Sequence, residues 1–245
     1  MTAQVKLEEK QLKAFNVEGY SHTQVNHLLT LLELNSAIRE SYQVVDIGGG
    51  YGYFARALNN AMDWPVRIID SDISAINFTS PSLLHNNVKA ILGDALSPEI
   101  KGDEEIVCFN LILHHLIGRN ESETRELQKK ALIQWRSQAN FLFVNEYIYE
   151  SYIRHISGRL IYEITKNKTL SEIGKIIANL IPSFRANTFG VGVRFRSHEE
   201  WLELFDECGF NVASKIIGEP DTTSLPLRVL LIRDIRRDSF LLFPK

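Results

Sequence analysis

The chain has 245 residues, 44% of them hydrophobic and 23% charged, with a formal net charge of -3. This is globular composition with enough apolar mass for a full core, and the slightly acidic balance weighs against a dedicated nucleic-acid binder, which presents a basic face. The two cysteines, Cys108 and Cys208, stand far apart in apolar surroundings, so no disulfide framework is expected and the setting reads as reducing and cytoplasmic.

Residues 1–40 read as helical. Lys6, Glu8, Glu9, Lys10 and Lys13 leave no apolar centre for a signal peptide. Beyond Phe15 and Tyr20, the residues Val25, Leu28, Leu29, Leu32 and Ile38 recur near a period of 3.6 and form one buried stripe. The period then changes. Val44–Ile47 is a short apolar run ended by glycines, which predicts a buried strand, and Phe54, Ala55, Ala57 and Leu58 suit a helix packed on it. Further strands are predicted at Val66–Ile69, ending at Asp70, at Val88–Leu92, ending at Gly93-Asp94, at Ile106–Leu113 and at Phe141–Val144. The clearest helix between them is 121–139, with Leu127, Ala131, Leu132 and Trp135 on one face.

Residues 147–196 break this rhythm, and 150–195 read as an inserted helical lid, since a connection of that length in a compact domain usually carries function. Within it, Thr169-Leu170-Ser171-Glu172 has the spacing of a capping box, and Pro182 ends the helix that follows. Ser197-His198-Glu199-Glu200 repeats the capping pattern before Trp201, Leu202, Leu204 and Phe205, with Gly209 placed to stop the helix. Two last strands are predicted at 211–217 and 227–235, antiparallel because only a short turn segment separates them. The whole reads as one α/β domain over 1–245. It is a doubly wound, mostly parallel seven-stranded sheet with an antiparallel last strand, an N-terminal helical segment and a helical lid insertion. No apolar run approaches the roughly 20 residues of a membrane helix.

Three features sit at the carboxyl ends of neighbouring strands, the edge where open α/β sheets bind ligands. Gly48, Gly50 and Gly52 form a G-x-G-x-G between strand and helix. Such a loop lets ligand atoms approach the backbone, and the helix N-terminus behind it favours a carboxylate or phosphate. A nucleoside triphosphate loop is excluded because no Lys-Ser/Thr follows, while Gly50-x-Gly52-x-x-Ala55 leaves a dinucleotide open. Asp70 ends its strand about twenty residues on, where a carboxylate accepts both ribose hydroxyls, whereas Asp72 suits a helix cap. Asp94, after Gly93, can accept from an adenine amino group, although Asp after Gly is also turn chemistry.

The ordered set Asp46-x-Gly48-x-Gly50-x-Gly52, Asp70 and Gly93-Asp94, with Cys108-Phe109-Asn110-Leu111-Ile112-Leu113-His114-His115-Leu116, resembles class I (Rossmann-like) S-adenosylmethionine-dependent methyltransferases of the small-molecule O-methyltransferase type. The resemblance covers 40–146 and 197–236. It implies that the backbone of Gly48, Gly49, Gly50 and Gly52 holds the methionine part of S-adenosylmethionine, with Asp46 near the amino group. It implies Asp70 with Ser71 on the ribose, Asp94 with Ala95 on the adenine, and Asn110 lining the site. Tyr51 departs from the small residue often found in that loop.

If the acceptor is a hydroxyl, a general base helps. His114 and His115 after the fourth strand and Glu146 after the fifth stand on the cofactor edge and are the candidates. The lid should choose a small-molecule acceptor, with Tyr152, His155, Arg194 and Arg196 as candidate contacts. A nucleic-acid methyltransferase is disfavoured because Asn110 lacks a following Pro-Pro-aromatic. An NAD-dependent enzyme is disfavoured by Asp94 and the antiparallel ending, and a non-catalytic cofactor-binding scaffold would carry the same motifs. A homodimer is a further expectation.

Overall fold

The computed structural model describes residues 18–82, 87–167, 169, 192–221 and 225–245. The strands are β1 (Val44–Ile47), β2 (Val66–Asp70), β3 (Val88–Leu92), β4 (Ile106–Asn110), β5 (Phe141–Ser151), β6 (Phe210–Ile216) and β7 (Ile232–Pro244). The helices are α1 (Glu18–Leu34), α2 (Tyr53–Met62), α3 (Ile73–Ser82), α4 (Glu121–Ile133), α5 (Ile156–Lys166), α6 (His198–Glu207) and α7 (Leu225–Val229). The seven strands form one sheet in the order β3-β2-β1-β4-β5-β7-β6. β1 to β5 are parallel, and β7 is antiparallel to both β5 and β6.

The order puts β1 and β4 at the centre, where neither edge nor face meets water, and this is why their residues read as unbroken apolar runs. Alternate side chains enter two cores. Val45, Ile47, Val107, Phe109, Leu142 and Val144 pack under α4 and α6 with Trp135, Trp201 and Phe205. Val44, Ile106, Cys108, Phe143 and Leu241 pack under α1 and α2 with Leu28, Phe54 and Trp64. Each large apolar side chain so enclosed contributes on the order of 2 kcal/mol, which fixes the strand register and with it the positions of the loops at the sheet's carboxyl edge.

Several boundaries differ from the sequence reading. The first helix begins no later than Glu18 and contains Tyr20, and Ile38 lies beyond its end at Leu34. The fourth strand stops at Asn110 because Leu111 turns to a positive φ of 56° and donates its N–H to the Asn145 carbonyl. Leu113–His115 is then a single 3-10 turn. The fifth strand continues to Ser151, held by β7 along its length. The expected strand at 227–235 is helix α7 at its start, and the true last strand runs on to Pro244, where Phe240, Leu241 and Leu242 are buried. The charged run Arg233-Asp234-Ile235-Arg236-Arg237-Asp238 hides the alternation that would have marked it. The Ser197 capping box forms in full with Glu200, and Gly209 stops α6 at a φ of 80°. Of the capping pattern at Thr169–Glu172 only Thr169 is described, and half of the 150–195 segment, residue 168 and residues 170–191, lies outside the described residues.

Candidate functional site

The loop after β1 is held from two sides. Gly48 donates its N–H to the Ile69 carbonyl at 2.8 Å, and Gly50 donates to Asp70 Oδ2 at 2.9 Å. Thr79 on α3 donates its hydroxyl to the Gly50 carbonyl at 3.1 Å. Glycine is required at position 49, where a Cβ would stand 2.4 Å from Asp46 Oδ2. It is equally suited to position 52, where φ is 72° and the chain enters α2. The amides of the first turn of α2 therefore face the edge of the sheet unpaired within the helix, beside an open backbone.

Beneath this loop Asp46 is fully buried. Its Oδ1 accepts from Asn110 Nδ2 at 3.2 Å, whereas Asp46 Oδ2 and Asn110 Oδ1 are buried without a hydrogen-bond partner. Burial raises the Asp46 carboxyl to about 7, opposed by the Asn110 hydrogen bond and assisted by the nearby Asp70 charge. Two orphaned acceptor oxygens under a helix N-terminus are a mismatch that an aminocarboxylate resolves, its ammonium meeting the oxygens and its carboxylate meeting the amides.

Asp70 accepts at both oxygens, from the amide of Gly50 and, at 2.8 Å, from that of Asp72. Burial nevertheless raises its pKa, against the pull of these two amides. Asp72 caps α3, accepting from the Ser74 amide at 2.7 Å. The two carboxylates are thus told apart by geometry. Asp70 faces the loop, and Asp72 serves the helix. Asp94 accepts from the Leu96 amide at 2.9 Å, and the Ala95 carbonyl accepts from Gln134 Nε2 at 2.7 Å, which fixes the turn after β3. The residues present fit S-adenosylmethionine: an aminocarboxylate cradle at Asp46 and the glycines, and carboxylates at the ends of the next two strands.

Across the edge, the 3-10 turn after β4 brings His114 to the end of β5. His114 Nδ1 lies 2.6 Å from Glu146 Oε2, and Glu146 Oε1 accepts from the Leu113 amide at 2.7 Å. Both side chains are buried. His115 packs against His114 at a tilt of 42° with centroids 4.1 Å apart, and burial followed by the His114 charge holds its imidazole well below the usual range. Phe195 packs 4.9 Å from the His114 ring and lies parallel on Tyr149 at 4.2 Å. Tyr147 meets His114 edge-on at 5.9 Å.

The expected lid contacts lie elsewhere. Arg194 and Arg196 are buried. Arg194 bonds Glu121 at 2.7 Å and Glu200 at 2.6 Å, and Arg196 bonds Gln128 at 2.7 Å and Glu121 at 3.0 Å. Burial, reinforced by Arg194, pushes Arg196 down to about 10. Glu121 stays below the usual carboxylate range because the two arginines outweigh its own burial. His155 starts α5 and pairs through Nδ1 with Ser197 Oγ at 2.9 Å, and Tyr152 is 55% exposed. Residues that the sequence reading did not single out complete this side: Tyr20 of α1, Asn145 and Tyr147 of β5, Phe195 just before α6, and Arg237 of β7. The β5–β7 register places Tyr147 opposite Arg237 and Asn145 opposite Ser239.

The sheet order, the antiparallel pair and the loop at the carboxyl edge agree with solved structures. The mitomycin 7-O-methyltransferase MmcR superposes with a TM-score of 0.53 at 13% identity, over 89% of this chain and 54% of that one. The chain has the class I methyltransferase fold. The same fold occurs in the [4+2]-cyclase SpnF, with a TM-score of 0.58 at 11% identity over 91% of this chain and 80% of that one. In sequence, an isoflavone 7-O-methyltransferase of Glycyrrhiza echinata is 25% identical over 203 residues, which cover 81% of this chain and 48% of that protein. The chain thus spans about half the length of this curated relative. No family model matches the chain. Among the described residues no helix is long and apolar enough to cross a membrane.

Proposed function

We propose that the chain is an S-adenosylmethionine-dependent methyltransferase acting on a hydroxyl oxygen of a small-molecule acceptor. The observation that carries this is the buried His114–Glu146 pair at 2.6 Å, on the same sheet edge as the Asp46 and glycine cradle. When bound, S-adenosylmethionine supplies a methyl group already made electrophilic by its sulfonium. The chain's share is to align the acceptor, exclude water and take a proton.

Glu146 is fixed by the Leu113 amide, so it holds the Nδ1–H tautomer of His114 and leaves Nε2 as the base. Nε2 takes the hydroxyl proton as the oxygen attacks, and the buried carboxylate stabilises the imidazolium so formed. Bound there, the cofactor would give up the methyl group and keep the bonding pair on its sulfur. In this reading Asp46 and the loop hold the aminocarboxylate, Asp70 and Ser71 the ribose, Asp94 and Ala95 the adenine, and Asn110 shares the ammonium with Asp46. His115, too weakly basic in its setting, packs His114 in place. Arg194, Arg196 and His155 anchor the stem of the lid. The names of MmcR and of the isoflavone relative, both O-methyltransferases, support a hydroxyl acceptor. The direct turn from Asn110 into Leu113–His115 favours it over an amino group of a nucleic acid.

Two measurements test the reading. S-adenosylhomocysteine should raise the melting temperature while NAD does not, and a shift with NAD alone overturns the assignment. Transfer of a labelled methyl group to a hydroxylated acceptor should be lost in His114→Gln while S-adenosylhomocysteine still binds. Retained transfer removes His114 as the base.

A further inference from the structure

Arg237 is the conspicuous charge on the acceptor side. Its neighbour Arg236 is fully engaged with Glu150, Asp234 and Asp238. Arg237, half-buried, has no carboxylate in ion-pair range among the described residues. It donates Nη2 to the Tyr147 hydroxyl at 2.8 Å, and its guanidinium lies 3.8 Å from the centre of the Tyr20 ring and 4.9 Å from that of Tyr147. Two phenol rings stabilise a cation but do not neutralise it.

The clamp is built, not incidental. Tyr20 donates its hydroxyl to Asn145 Oδ1 at 3.1 Å, and Gln24 donates to the same oxygen at 3.2 Å. Asn145 Nδ2 donates to Ser239 Oγ at 2.7 Å, and His27 Nδ1 lies 2.9 Å from that hydroxyl. This chain of polar contacts pins α1 to β5 and β7 and so fixes the ring on which the guanidinium rests. A planar, preoriented guanidinium is suited to bidentate contact with a carboxylate.

Its position names the ligand. The Tyr147 ring touches both Arg237, at 4.9 Å, and His114, at 5.9 Å, so a single aromatic ring links the cation and the base. Phe195, flat on Tyr149 and against His114, supplies an apolar wall beside them. We propose that Arg237, framed by Tyr20 and Tyr147, binds a carboxylate on the methyl acceptor and so selects a hydroxylated aromatic acid. This rests on the methyl-transfer reading for the fate of the hydroxyl, but the binding itself does not need transfer.

The test uses 3,4-dihydroxybenzoate and catechol, which share the ring hydroxyls and differ in the carboxylate. Each is titrated calorimetrically into the chain saturated with S-adenosylhomocysteine, and each is offered as acceptor with S-adenosylmethionine. The wild type should bind the benzoate roughly 10–100-fold more tightly than catechol, the range for a charge-assisted hydrogen-bond pair. Arg237→Gln should bring the two within about threefold by weakening the benzoate alone, and Arg237→Lys should restore part of the gap because it keeps charge but not the fork. Equal binding of the two probes by the wild type, no binding of either, or equal weakening of both in Arg237→Gln would overturn the proposal. Selective binding without methylation keeps it and sinks the methyl-transfer reading. Methylation of both probes at equal kcat/KM does the reverse.

Discussion

The two halves of the candidate site are made of different material. The donor half, between β1 and β3, is mostly backbone: a glycine loop, a helix N-terminus, Asp46 within β1 and one carboxylate at the end of each of the next two strands. The acceptor half, between β4, β5 and β7, is all side chain: His114, Glu146, Tyr147, Phe195, Tyr20 and Arg237, drawn from five separate stretches of the chain. A ligand shared by many enzymes can be held by amides, which any sequence provides. A particular acceptor needs particular side chains.

That contrast can be broken at definite points. The largest effect is expected at His114. His114→Ala should lower kcat by about 10²–10⁴-fold, with the S-adenosylhomocysteine dissociation constant unchanged within about twofold. A matching loss of cofactor affinity would mean that the halves are not separate. Next is Arg194, whose removal leaves Glu200 short of a partner in a buried cluster. Arg194→Ala should destabilise the fold by about 3 kcal/mol in urea titrations. Full stability with a raised acceptor KM would instead return Arg194 to the acceptor, as the sequence suggested.

On the donor side, Asp70→Ala should weaken S-adenosylhomocysteine by roughly 1.5–3 kcal/mol, or about ten- to a hundredfold. An unchanged constant would shift the ribose to Asp72. The smallest and most diagnostic effect concerns pH. Asp46 is raised to about 7, so the free protein holds this proton while the bound ammonium favours the carboxylate. Cofactor affinity should therefore rise with pH up to about 7, by up to tenfold per pH unit, and level off above. Asp70, also raised by burial, steepens the fall on the acid side. The stability of the free chain runs the opposite way. A folded pKa above the unfolded value means that Asp46's contribution is fully present below about pH 4 and is lost as pH rises through about 7. Asp46→Asn should flatten both profiles, and a flat profile in the wild type would place the ammonium elsewhere.

The same contrast explains what could be read from the sequence. Val44–Ile47 with its glycines, Asp70 and Asp94 are each local signals, strand followed by turn, and the structure places them along one edge as expected. The His114–Glu146 contact was half legible. Each residue follows a strand end, but the 3-10 turn that brings them together depends on the positive φ at Leu111. Arg237 was not legible. Its meaning comes from standing opposite Tyr147 across an antiparallel pair, and the strand that carries it is disguised by charges that pair with one another along it. Arg194 and Arg196 misled in the opposite sense, because sequence gives no sign that Glu121 and Glu200 wait for them.

The place of β7 between β5 and β6 also bears on the route by which the chain reaches this structure. β6 touches the sheet only through β7, so it joins no earlier than β7 docks on β5, a step that closes a loop of roughly ninety residues between Asn145 and Ser239. Contacts so distant along the chain form late and slowly, whereas the β1-β2-β3 units are local. The candidate cofactor cradle should therefore form before the candidate acceptor clamp. Ligands of the first half should speed refolding, while a substitution such as Phe240→Ala should leave early helix formation intact and retard the final, rate-limiting docking.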